Sequence, residues 1–171
     1  MSLRKNAQVE IMKIKFFTVG GTIDKVYFDR KNDYQIGDSP LHEILKEADV
    51  GFEYDCESIL RKDSLDITDE ERQTILSRVT EDKHQHIVIT HGTDTMVQTA
   101  EILRSVPDKV IVLTGSMEPA RFRSSDAEFN IGCAIAAVQL LPPGVYVVMN
   151  GRIFDSDRVI KNVELGRFEE I

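Results

Sequence analysis

His86-Ile87-Val88-Ile89-Thr90-His91-Gly92-Thr93-Asp94-Thr95-Met96 is the stretch on which the fold reading turns. Five residues, nearly all apolar and β-branched, have the composition of a strand buried on both faces. Gly92 then breaks the strand, and Thr93 or Asp94 is placed to cap a helix that runs to about Ser105-Val106-Pro107. An earlier stretch has the same form. Lys13 to Thr18 reads as a strand and ends in Val19-Gly20-Gly21-Thr22-Ile23. In a parallel α/β sheet such turns lie at the carboxyl edge, where ligands bind.

Working outward, strands and helices alternate. Residues 24–38 are polar, with Lys31-Asn32-Asp33 as a turn signal, and read as a loop or irregular hairpin. Ser39-Pro40 opens a helix with Leu41, Ile44, Leu45 and Ala48 on its apolar face. Phe52 to Leu60 reads as a strand. Thr68-Asp69-Glu70-Glu71 is a capping box before a helix with Ile75, Leu76 and Val79 facing inward. Lys109 to Thr114 is a further buried strand. Ser125-Asp126-Ala127-Glu128 reads as a second capping box, opening a helix to Leu141 that Pro142-Pro143-Gly144 stops. Val145 to Met149 is the last buried strand, and the tail from Asn150 has the turn signals of a hairpin. The expectation is a doubly wound α/β fold. It has a mostly parallel sheet, three layers of Rossmann or flavodoxin-like kind, and one domain over 1–171 with a flexible N-terminus at 1–12.

The totals narrow the function. A chain of 171 residues is long enough for a real core. A net charge of −8 without a Lys/Arg cluster argues against a nucleic-acid partner. The longest apolar stretch, Ile131 to Leu141, is too short for a bilayer and contains Gln139, so no membrane partner is expected. Two cysteines make neither a disulfide framework nor a zinc pattern. Met1 to Glu10 lacks the apolar core of a signal peptide, which gives the expectation of a cytoplasmic protein.

Each candidate residue has a plain reading beside a chemical one. Gly20-Gly21 fits neither dinucleotide nor phosphate-loop spacing, so Thr22 taken alone is a turn former. Asp94 taken alone is a helix cap. Lys109 at a strand entrance is usually a solvated charge, or else a partly buried ammonium that activates a neighbouring hydroxyl. His91 reads as structural. His84 and His86 have no evident third ligand, and no metal is expected. Ser116 and Ser125 lack the context of a serine nucleophile. The chemical reading needs the two threonine turns on one sheet edge, where a hydroxyl nucleophile and its activating group would meet.

Taken together, Val19-Gly20-Gly21-Thr22-Ile23, His91-Gly92-Thr93-Asp94-Thr95-Met96, Val112-Leu113-Thr114-Gly115-Ser116-Met117-Glu118-Pro119, Ser125-Asp126, Phe129-Asn130 and Val147-Val148-Met149-Asn150 resemble the bacterial-type L-asparaginase/glutaminase family, in that family's order, from about Lys13 to Phe168. The resemblance implies hydrolysis of the side-chain amide of L-asparagine through an acyl-enzyme, with no cofactor. It implies Thr22 as nucleophile, Tyr34 as the lid tyrosine that assists it, and Thr93, Asp94 and Lys109 as the second catalytic group. Asp94 would also bind the substrate's α-ammonium. Lys62-Asp63 would stand where the family contacts the α-carboxylate and α-ammonium.

There are departures from the family pattern. Val19 replaces a threonine. Asp24 replaces a small residue, with an expected effect on the lid hinge. Lys62 replaces a serine, which would turn a neutral hydrogen bond into an ion pair. The family's second domain has no counterpart, and the expectation is a short-chain form whose site another copy completes, in a homodimer or homotetramer. The alternative is an amino-acid-binding or regulatory module with the same pocket and little turnover; a third is hydrolysis of a different amide or ester.

Overall fold

The computed structural model describes residues 12–28 and 33–171. Most of the expected flexible N-terminus and the Lys31-Asn32 turn lie outside them. The apolar runs form a six-stranded sheet. Its strands are β1 (Lys13–Gly20), β4 (Glu53–Lys62), β5 (His86–Thr90), β6 (Val110–Thr114), β7 (Gly144–Met149) and β8 (Arg152–Asp155), in the order β4-β1-β5-β6-β7-β8. The first five are parallel, and β8 adds antiparallel to β7. Asn150 and Gly151 both take positive φ in that connection, as a two-residue hairpin turn on a right-twisted ribbon requires.

Two helices cover each face. Ile75 and Val79 of α2 (Asp69–Glu81) and Met96, Ala100 and Leu103 of α3 (Met96–Leu103) pack with Phe17, Ile87 and Ile89. Leu41 and Leu45 of α1 (Leu41–Glu47) and Ile131, Ala134 and Val138 of α4 (Ala127–Leu140) pack with Phe16, Val88 and Val112 on the other. Side chains of this kind, fully buried, each contribute about 1.5–3 kcal/mol. Residues 24–38 contain an antiparallel pair, β2 (Lys25–Phe28) with β3 (Asp33–Ile36). The tail supplies a second hairpin, β9 (Val159–Asn162) with β10 (Arg167–Glu170), whose Val159 and Phe168 close the α3 side of the core.

The Thr68–Glu71 capping box forms as read. The second does not. At the start of α4 the Ser125 hydroxyl accepts from the Ala127 N–H, while the Asp126 carboxylate turns back to accept from the Met117 and Glu118 N–H groups. Thr95, not Thr93 or Asp94, is the N-cap position of α3, and it makes no side-chain cap. Cap residues and loop anchors share a composition, which is why both stretches read as caps.

The chain leaves β1 toward β4 on one side, then crosses to β5 on the other. The carboxyl ends of β1 and β5 are therefore the switch point of the sheet, where connecting loops diverge and leave a crevice. Thr18 and Thr90 are register partners there, so the two glycine-threonine turns leave the sheet side by side.

Candidate functional site

Contact between two glycines sets the spacing of the site. A Cβ on Gly21 would lie 2.3 Å from the Gly92 Cα, so the turns meet backbone to backbone. Gly21 has φ of +93° and donates its N–H to the Lys62 carbonyl at 2.8 Å. This clamps the end of β1 between β4 and the turn after β5. Thr22 then opens one 3-10 turn, Thr22–Asp24, and is half-buried.

The second turn is held from behind by His91, which is fully buried. Its Nδ1 lies 2.8 Å from the Gly92 carbonyl and its Nε2 lies 2.8 Å from the Thr99 hydroxyl. The carbonyl can only accept, so Nδ1 carries the hydrogen and Nε2 accepts from Thr99. Burial pushes the imidazole pKa down to about 4, which keeps it neutral near pH 7. Further along, the Thr95 hydroxyl donates to the Ser64 carbonyl at 2.8 Å and ties this turn to the one after β4.

Thr93 is buried and Asp94 partly exposed. The ammonium of Lys161, on β9, donates to the Thr93 Oγ1 at 2.7 Å and to the Asp94 Oδ1 at 2.5 Å. The Lys161 side chain is 11 % exposed, so its charge acts in a poorly solvated place. With its oxygen accepting from the ammonium, the Thr93 hydroxyl keeps its own hydrogen for a further acceptor. The sequence reading missed Lys161. The signal available was the Asp155-Ser156-Asp157 turn, which folds the tail back over α3.

Lys109 stands elsewhere, which corrects the expectation that it backs Thr93. Its ammonium donates to the Val79 carbonyl at 2.8 Å and to those of Thr80 and Asp82, at the end of α2. It sits at the entrance of a parallel strand, hence at the amino edge of the sheet. Burial lowers its pKa from the usual lysine value.

The β2–β3 hairpin and the end of β4 border a cleft of about 720 Å³ lined by Tyr34, Lys62, Asp63 and Leu65. Tyr34 packs at a tilt against Tyr27 with ring centres 5.3 Å apart and meets Phe122 edge-on across 6.1 Å. Lys62 pairs with Glu71 at 2.7 Å, and Asp63 pairs with Lys25 at 2.9 Å. Both are therefore engaged in structural pairs. The polar group packed on the second turn is instead Ser64, 1 % exposed and close against Gly92.

The floor of the edge is a buried amide. Asn130 donates to the Gly115 carbonyl at 3.0 Å and to Asp126 at 2.8 Å, and accepts from the Asn150 N–H at 2.9 Å. Among the described residues no cluster of His, Cys, Asp or Glu could hold a metal ion.

This is a doubly wound α/β protein with a polar site built on two backbone-apposed threonine turns at its switch point. Residues 13–167 match the family described as asparaginase, N-terminal, and the chain belongs to that family. It is 35 % identical over 164 residues to an L-asparaginase of Thermococcus kodakarensis, covering 91 % of this chain and 49 % of that one. It is 43 % identical over 84 residues to a glutaminase-asparaginase of Acinetobacter glutaminasificans, covering 46 % and 25 %. Among solved structures, the thermostable L-asparaginase from Thermococcus kodakarensis superposes with a TM-score of 0.82 at 33 % identity, over 94 % of this chain and 51 % of that one. The chain thus spans about half the length of these full-chain relatives.

Proposed function

We propose that the chain hydrolyses the side-chain amide of L-asparagine to L-aspartate and ammonia, with L-glutamine as a second substrate. The observation that carries this reading is the Lys161 ammonium held jointly by Thr93 and Asp94, on a turn that touches the one bearing Thr22. Thr22 Oγ1 attacks the amide carbonyl carbon, assisted by Tyr34 from the hairpin. The C–N bond breaks and the Thr22 proton leaves with the nitrogen as ammonia, so that an ester remains on Thr22. Backbone N–H groups at the turn before α3 face the developing oxyanion, a contribution of about 3 kcal/mol per donor. A water held by the Thr93 hydroxyl then attacks the ester and returns the proton to Thr22. Lys161 takes the place first given to Lys109. Asp94 is the acid nearest the mouth, suited to the substrate's α-ammonium.

Ammonia release from L-asparagine and L-glutamine tests the reading. Thr22→Ala should lower turnover at least 10³-fold with an unchanged melting temperature. Unchanged turnover removes the proposed nucleophile, and calorimetric binding of asparagine without ammonia would make the chain a binding module. A homodimer or homotetramer in which a neighbouring copy closes the edge completes the proposal, checked by sedimentation. Two unpaired cysteines, Cys56 and Cys133, suit a reducing cytoplasm.

A further inference from the structure

We propose that Asp24 is a positioning residue whose buried carboxyl couples the turn bearing Thr22 to the stem of the β2–β3 hairpin, so that its protonation state governs how firmly the hairpin is held over the site. The inference rests on Thr22 being the nucleophile for its catalytic consequence, though not for the coupling itself.

Asp24 is the last residue of the Thr22–Asp24 turn and is 3 % exposed. Its N–H donates to the Gly21 carbonyl at 3.1 Å and its carbonyl accepts from the Gly37 N–H at 2.8 Å. These two bonds place it between the glycine that fixes Thr22 and the residue that leaves the hairpin. The side chain extends the same link. Ser39, two residues past Gly37, hydrogen-bonds the carboxyl, while the buried Oδ1 has no partner. Arg61 of β4 is the cation that acts on the carboxyl, and it is itself paired with Asp38 at 2.6 Å. Lys25, the next residue along the chain, is committed to Asp63.

A carboxylate with one oxygen orphaned inside the protein is poorly stabilised as an anion. Burial accordingly raises the Asp24 pKa to about 6, against the opposing pull of Ser39 and Arg61. In acid the neutral carboxyl donates its hydrogen within the Gly37–Ser39 segment and the stem stays closed. Above that value the anion draws water or Arg61 toward the orphaned oxygen, and either movement loosens the stem.

Hydrogen exchange of the unliganded chain tests the coupling. Protection factors of amides in the stem, 25–28 and 33–37, should fall roughly tenfold between pH 5 and pH 7.5, while those of β5 and β6 stay constant. Asp24→Asn, neutral throughout, should keep the high protection at both values and melt about 5 °C higher than the wild type at pH 7.5. Ser39→Ala removes a donor to the anion and should move the midpoint of the change to higher pH, which keeps the test available if the first variant does not fold. Constant protection in the wild type, or the same change in Asp24→Asn, overturns the proposal. With L-asparagine, kcat of the wild type should follow the protection change and that of Asp24→Asn should not. Absence of ammonia release from the wild type would count against the amidohydrolase reading alone, since the exchange measurement needs no substrate.

Discussion

The two edges of the sheet each hold a lysine, and the contrast between them explains the site. Lys161 reaches the carboxyl edge from the tail hairpin and divides its ammonium between a hydroxyl and a carboxylate. Lys109 sits at the amino edge and spends its hydrogens on backbone carbonyls at the end of α2, the usual satisfaction of a helix C-terminus by a cation. The same side chain bridges a hydroxyl and a carboxylate in one place and clasps backbone carbonyls in the other. Strand direction decides which. Lys109 precedes β6, and five residues of strand separate it from the edge that bears the turns, about 17 Å at strand rise.

The largest expected effect breaks the symmetry of the two lysines. Lys161→Met should reduce ammonia release by about 10³-fold with little change in melting temperature, measured by a coupled ammonia assay. An effect of less than tenfold would place Lys161 outside the chemistry. Next, Asn130→Ala removes the amide that joins the ends of β6 and β7 to Asp126. Three buried hydrogen bonds are lost, at a cost of about 3 kcal/mol in urea unfolding. A cost below about 1 kcal/mol would mean the carboxyl edge is held by other contacts.

His91 gives an effect of similar size that depends on acid. The unfolded imidazole binds its proton near pH 6.5 and the folded one only near pH 4, so the unfolded state carries more protons between these values. Stability is full above pH 6.5 and declines as pH falls toward 4, by at most about 3 kcal/mol. Asp24 acts in the opposite sense, because its folded pKa lies above its unfolded one: its contribution declines as pH rises from about 4 to about 6. The two offset each other in the wild type, and thermal melts of Asp24→Asn from pH 4.5 to 7 should expose the His91 slope. A flat profile in that variant would remove His91 as its source. The smallest effect sharpens the contrast at the amino edge. Lys109→Met should cost about 1 kcal/mol of stability and leave ammonia release within twofold.

The sheet was legible because its central strands are short apolar β-branched runs between turn signals, a pattern that only two-sided burial explains. Both threonine turns and the Thr68–Glu71 cap were legible for the same local reason. What escaped was placement between distant segments. Lys109 was expected beside Thr93, but strand direction carries its ammonium to the end of α2, and the lysine that meets Thr93 comes from the distant tail. Lys62 and Asp63 were expected against the second turn, but β4 runs on to Lys62 and the polar turn begins later than composition suggests, so the residue packed on Gly92 is Ser64. Asp126 lies inside the Ser125–Glu128 stretch that reads as a capping box, yet its partners are the Met117 and Glu118 N–H groups of the preceding loop.

The contact of Gly21 with Gly92 has a mechanical corollary. Because backbone meets backbone there, the offset between the two threonines is fixed by peptide dimensions and is indifferent to the side chains around it. Neither glycine can take a side chain without parting the two turns. Such a seam works as a ruler built from main chain alone, holding the two hydroxyl-bearing turns at one separation.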